Sequence, residues 1–276
     1  MIVEQALPVA GMAIDADGSL HSRSVYRADA ISLSFGGVRA LVDVSVEIRR
    51  DELLAIIGPN GAGKTSLLNV LSGLYRPQRG RLSFDGEDVC GLATHEMARR
   101  GLARTFQSAH LFSGMSVLDN MLVGRHHLMR SNPLQAFAYF PWTQREEIRH
   151  REVVEDIIEF LEIEAIRHQP VDALGYGLRK RVDLGRALAM EPKILLMDEP
   201  MAGMNVEEKE DLARFILDLR EARHLPVVLV EHDMSVVMDL ADRVVVLDFG
   251  RKLAEGTPAE IQSNDAVIAA YLGGAA

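Results

Sequence analysis

At 276 residues the chain is long enough for one or two substantial cores, and 48% hydrophobic with 25% charged content excludes bulk disorder. A net charge of −10 argues against a large nucleic-acid-binding face, although a single pocket can still be strongly positive. The one cysteine, Cys90, excludes an intrachain disulfide and a cysteine-rich metal site and reads as a small packing residue, while no run of about 18 apolar residues is present to cross a bilayer.

Residues 1–26 lack the basic start and apolar block of a secretory signal and read as a mobile N-terminal extension. Ala30–Phe35 and Leu41–Arg49 alternate apolar and polar residues, which predicts antiparallel strands with one wet face. Leu53–Ile57 is uniformly apolar and predicts a buried strand; Lys64–Ser72 predicts a helix ended by Gly73. From Val117 to Arg186 strand-like runs are missing and helical spacing dominates, as in Arg145–Leu161 with Val153, Val154, Ile157, Ile158 and Leu161. Within it the aromatic stretch Leu134–Phe140, followed by Trp142, reads as a local core or, alternatively, as a docking surface for a membrane partner. Short apolar runs then return at Ile194–Met197, Val227–Val230 and Val244–Leu247, with an amphipathic helix expected over Val206–Glu221. Alternation of this kind builds an α/β fold around a parallel sheet covered on both faces.

Between the Leu53–Ile57 strand and the following helix lies Gly58-Pro59-Asn60-Gly61-Ala62-Gly63-Lys64-Thr65-Ser66, a phosphate-binding loop in the right structural context. Glycines let successive N–H groups turn inward toward phosphate oxygens, Lys64 adds a mobile positive charge, and the Thr65 hydroxyl can ligate Mg²⁺. The Ile194–Met197 run ends in Asp198-Glu199. Neighbouring side chains at a strand end point in different directions, so Asp198 can serve the metal while Glu199 polarises the water that attacks a γ-phosphate.

With loop and acidic pair together, residues 28–272 resemble the nucleotide-binding subunits of ABC transporters. The resemblance implies a P-loop NTPase fold: a RecA-like parallel sheet core, an antiparallel β subdomain and an inserted α-helical subdomain. It implies one domain over 27–273, with the core in about 27–115 and 187–273 and the helical part in about 116–186. It makes Phe35 the aromatic that stacks on adenine. Gln107, in Arg104-Thr-Phe-Gln107, becomes the amide that touches Mg²⁺ and the attacking water. His232, in Glu231-His232-Asp233, becomes the switch that contacts the γ-phosphate. Ala202-Gly-Met-Asn205 corresponds to the loop that crosses a dimer interface, with Asn205 where many relatives carry aspartate.

One segment departs from the pattern: Leu174-Gly-Tyr-Gly-Leu178 stands where the family signature reads Leu-Ser-Gly-Gly-Gln. Gly175 cannot supply the serine hydroxyl, whereas Gly175, Gly177 and the helix start still offer backbone N–H groups to a γ-phosphate held by the other subunit. Weakened recognition is expected at one of two sites. The segments Arg104–Gln107 and His232–Met234, the helical insert and the closing Gly256-Thr-Pro258 and Ala270-Tyr-Leu-Gly273 resemble the branched-chain amino acid importers.

The implied cofactors are ATP and Mg²⁺. The implied partners are a second ATPase subunit, identical or not, transmembrane permease subunits and, indirectly, a solute-binding protein, with no nucleic acid. Such a subunit sits peripherally on the cytoplasmic face of the inner membrane. Alternatives are a cassette importing urea, amides or short organic acids, a poorly hydrolysing regulatory subunit, and a soluble ABC protein.

Overall fold

A computed structural model describes residues 24–129 and 141–272. The stretch 134–140 lies outside the described residues, as do residues 1–23 of the N-terminal extension. β1 (Ser24–Phe35) and β2 (Val38–Arg49) form a long antiparallel hairpin, joined on the other flank of β1 by β4 (Arg79–Phe84) and β5 (Glu87–Asp88) in the order β2-β1-β4-β5. β2 buries Leu41, Val44, Val46 and Ile48 on the side facing the core. The strand starts earlier than the sequence suggests. Val25 and Tyr26 are buried, and the Tyr26 hydroxyl donates to the Leu71 carbonyl at 2.9 Å while its ring packs on Phe84. Ser24–Tyr26 therefore belong to the folded domain and not to a mobile extension; Arg27 and Asp29 interrupt the apolar pattern that would have revealed it.

The second sheet has six strands in the order β10-β9-β3-β8-β7-β6. These are β3 (Leu53–Ile57), β6 (Leu102–Thr105), β7 (Ile194–Asp198), β8 (Val227–Val230), β9 (Arg243–Asp248) and β10 (Arg251–Gly256). β3, β6, β7, β8 and β9 are parallel, and β10 turns back antiparallel as the edge. Both faces are buried, so side chains alternate between two cores: Leu195, Met197, Val227 and Leu229 enter one, while Leu196, Val228, Leu54 and Ile56 enter the other. Each such aliphatic burial contributes about 1.5–3 kcal/mol relative to exposure. β4 and β6 are short and contain arginine, which hides them from periodicity alone.

Helices cover the sheet. α1 (Lys64–Leu71) follows the loop after β3, and α2 (Thr94–Arg100) precedes β6. The insert between β6 and β7 contains α3 (Val117–Gly124), α4 (Pro141–Phe160) and α5 (Tyr176–Leu188), with no strand among its described residues. Val117, Met121, Val154, Ile158, Leu161 and Val182 close its interior and join the core on one face of the parallel sheet. α6 (Val206–Arg223) is started by Asn205 and Glu208, which cap each other's backbone amides at 2.9 and 3.1 Å. α7 (Met234–Leu240), α8 (Pro258–Gln262) and α9 (Asp265–Leu272) complete the chain, and their Val237, Ile261 and Val267 pack on Ala55, Ile57, Val244 and Val246.

Candidate active site

The strand ends of the parallel sheet gather the predicted residues. Between β3 and α1 the chain turns through Gly58, Gly61 and Gly63 at φ of 151°, 81° and 105°, conformations that favour glycine. A Cβ on Gly58 would lie 2.1 Å from the Leu247 carbonyl oxygen, and one on Gly63 2.7 Å from that of Ala40, so β9 and β2 press on the loop from outside. The Gly250 amide donates to Ala62 O at 2.9 Å and fixes its far side. Lys64, the first residue of α1, is buried, and its Nζ donates to Gly58 O at 2.6 Å and Pro59 O at 3.1 Å. Burial lowers the Lys64 pKa, with the charges of Glu199 and Asp198 pulling it back up. Asn60 and Thr65 are exposed at the mouth, and Pro59 and Ser66 are half-buried beside them.

Asp198 closes β7 as a buried carboxylate whose Oδ2 accepts from Arg104 at 2.9 Å. Glu199 follows at φ 45°, a left-handed conformation uncommon outside glycine, and its amide is held by Val230 O at 2.9 Å. That bend separates the two carboxylates. Glu199 Oε2 accepts from Gln107 Nε2 at 2.9 Å and lies 3.9 Å from His232 Nδ1. Gln107, Glu199 and His232 are therefore brought together, and Lys64 feels both acids.

Phe35 ends β1 half-exposed, its ring edge-on to Tyr75 at 5.1 Å, so an aromatic face stands beside the hairpin that flanks the loop. Gly175 is the N-cap of α5 with no side-chain cap, and no atom lies within 4 Å of where its Cβ would be. Gly177 is tight: a Cβ there would meet Glu208 Oε1 at 2.2 Å. Tyr176 packs against Gly203, so this helix start sits against the 202–208 segment of its own chain and not against its own phosphate loop. The Lys180 ammonium donates to the Gln107 and Phe106 carbonyls, which ties α5 to the Gln107 segment.

The oxygen donors suit a hard divalent cation. Thr65 offers a hydroxyl, Asp198 keeps Oδ1 outside its bond to Arg104, and Gln107 keeps its amide oxygen. Among the described residues no group of three or more His, Cys, Asp or Glu forms a protein-only cage, so such an ion needs phosphate oxygens to complete its shell.

Comparison with known proteins identifies the family. The ABC transporter family model matches residues 41–202, and that of the branched-chain amino acid ATP-binding cassette transporter matches residues 251–276. The chain belongs to the ABC transporter family. BraF, a high-affinity branched-chain amino acid transport ATP-binding protein of Pseudomonas aeruginosa, is 37% identical over 252 residues, 91% of this chain and 99% of BraF. LivG of Escherichia coli, described in the same words, is 34% identical over the same shares. A crystal structure of a nucleotide-free ATP-binding cassette from an ABC transporter matches with a TM-score of 0.79 at 31% identity, covering 90% of this chain and 99% of that one.

As an ABC cassette the chain binds nucleotide and is an ATPase. None of its described helices is long and apolar enough to cross a membrane. Four residues that support the cassette's site escape motif reading. Arg104 binds Asp198, and Lys180 binds the Gln107 backbone. Lys209 pairs with Asp233 at 2.7 Å and, with the Ser235 hydroxyl, holds that carboxyl down to about 2. Glu231 is buried behind His232 and accepts from the Met201 and His232 amides at 3.0 and 3.2 Å; burial raises its pKa while those amides oppose the rise. The only signal for Glu231 was an acid adjoining an apolar strand.

Proposed function

We propose that this cassette is the ATP-hydrolysing subunit of an importer for branched-chain amino acids. The observation that carries the reading is similarity over 99% of BraF and LivG, together with the match of residues 251–276 to the branched-chain family's own C-terminal segment. In this reading Phe35 stacks on the base, and residues 58–66 cradle the phosphates with Lys64 as their charge partner. Thr65, Asp198 and Gln107 would hold Mg²⁺, which would screen charge on the phosphates. Glu199 accepts the proton of the attacking water, Gln107 orients that carboxylate, and His232 donates to the γ-phosphate. Gly175, exposed at the start of α5, faces the nucleotide of a second subunit with Gly177 buried against Glu208 behind it, and the two subunits drive transmembrane permease subunits from the cytoplasmic face of the membrane.

Proteoliposomes containing the complete complex test the cargo. Uptake of leucine, isoleucine or valine driven by internal ATP is the expected result; transport restricted to urea, amides or short organic acids would replace the cargo and keep the cassette's role. A second reading, a regulatory subunit with poor hydrolysis, is favoured by the uncapped Gly175. Turnover in the assembled complex that is unchanged by Glu199→Gln would select it.

A further inference from the structure

Arg104 is an arginine in the core of the site that the reaction does not use. Its side chain is 8% exposed, and its guanidinium serves two elements at once. Nη2 donates to Asp198 Oδ2 at 2.9 Å on β7, while Nη1 donates to Asn69 Oδ1 at 2.7 Å and lies 3.0 Å from Ser72 Oγ at the end of α1. Its face rests 5.0 Å from the centre of the Phe106 ring. The fork thus ties the strand end that bears Asp198 to the helix that begins with Lys64. Asp198 is itself 9% exposed at the side chain, and removing one partner of a buried pair leaves the other charge uncompensated.

Lys64 shows what that charge would do. The negative charges of Glu199 and Asp198 act on Lys64, yet its ammonium donates to the Gly58 and Pro59 carbonyls and to neither acid. Neutral carbonyls release a lysine to an incoming phosphate far more readily than a buried carboxylate does. We propose that Arg104 is a positioning residue for nucleotide binding: by neutralising Asp198 and engaging its Oδ2, it keeps that carboxylate from capturing Lys64 and leaves Oδ1 for the metal's water shell. The proposal rests on the reading of Lys64 as the phosphate lysine and Asp198 as the metal-side acid.

The test is a cycle of Arg104→Met, Asp198→Asn and the double variant, read as affinity of the full chain for a fluorescent ATP analogue in EDTA. Arg104→Met is expected to weaken binding about tenfold or more, the scale of one charge-assisted hydrogen bond. In the Asp198→Asn background the same change is expected to cost less than about twofold, since the carboxylate that Arg104 engages is gone. Equal losses in both backgrounds show a merely structural role and overturn the proposal, as does wild-type affinity in Arg104→Met. Arg104→Lys retains the charge and is expected within about threefold of wild type, and it decides the matter if Arg104→Met does not fold; a tenfold loss there overturns neutralisation as the cause. Repeating the titration with Mg²⁺ separates the underlying reading: Asp198→Asn is expected to lose the Mg²⁺ enhancement, and if it does not, Asp198 is not the metal-side acid whatever the EDTA cycle gives.

Discussion

The Gln107 amide donates to Glu199 Oε2 at 2.9 Å, joining the end of β7 to the segment that leads into the helical insert. An amide donor on one oxygen fixes the carboxylate plane and leaves the other oxygen to accept a proton from water. Because Lys180 of α5 donates to the Gln107 carbonyl, the helical insert is linked to Glu199 through two hydrogen bonds. Under the proposed role of Glu199, these contacts would couple hydrolysis to subdomain position within one chain.

Glu199→Gln preserves the shape of this contact and removes the carboxylate proposed as the base. Turnover of the assembled complex is expected to fall by about 10²–10⁴, the usual worth of a positioned proton acceptor, with nucleotide affinity near wild type. Phosphate release measured beside binding of a fluorescent ATP analogue separates the two effects. Unchanged turnover would move the base elsewhere.

Gly58→Ala and Gly61→Ala should separate steric from conformational demand in the loop. At Gly58 the new Cβ meets the Leu247 backbone oxygen at 2.1 Å, and no side-chain rotation relieves that; at Gly61 nothing lies within 4 Å, and only the φ of 81° resists. Gly61→Ala is expected to cost about 1–2 kcal/mol, the left-handed penalty alone, and Gly58→Ala more than that. Urea midpoints of the nucleotide-free chain give the comparison, and equal losses would mean that β9 yields to the loop.

Sequence patterning reached the architecture wherever one physical rule acted alone. β3, β7 and β8 are buried on both faces and read as unbroken apolar runs, and the order of strand, loop and helix expected around Lys64 is the one the chain adopts. The loop glycines, Asp198 and Glu199 could be singled out because the proposed chemistry needs those residue types next to a strand end. Arg104, Lys180 and Glu231 were not, since each acts on a partner distant in the chain: Arg104 reaches Asp198 across 94 positions and Lys180 reaches Gln107 across 73. No local period encodes such a pair. Tyr26 was hidden for another reason, because its burial depends on β4 and α1 arriving above it.

His150 gives the fold a dependence on acidity. Its Nδ1 accepts from Arg125 Nε at 2.7 Å inside the helical insert, and burial, with the Arg125 charge adding to it, lowers its pKa below 6.5; Glu146 and Glu191 act in the opposite sense and Arg149 in the same. The folded state therefore resists protonation more than the unfolded chain does. This contribution is complete above 6.5 and is lost as pH falls through the depressed folded value. His150→Asn, whose amide oxygen can accept from Arg125 without titrating, is expected to flatten that part of the profile. Urea midpoints taken from about pH 8 down to about pH 5 check it, and parallel profiles would assign the acid loss to other groups.

Gly175→Ser restores the hydroxyl that the altered signature lacks. Gly175 sits at φ −62° and ψ 164°, the extended conformation of an N-cap, and its missing Cβ would point into open space, so the substitution meets no clash and no backbone strain. Serine at that position accepts from an amide in the first turn of α5, and a gain of a few tenths of a kcal/mol over glycine is expected in the isolated chain. A larger effect is expected in the assembled complex if the helix start faces a partner's γ-phosphate. One added hydrogen bond to a charged group is worth about 1.5–3 kcal/mol, enough to tighten nucleotide-dependent dimerisation by about tenfold or more. Sedimentation of the Glu199→Gln chain with ATP, with and without Gly175→Ser, reads this directly, because under the proposed function blocked hydrolysis would hold the closed pair together. A rise in urea midpoint with no change in dimerisation would show that the hydroxyl caps its own helix and that Gly175 does not weaken a shared site.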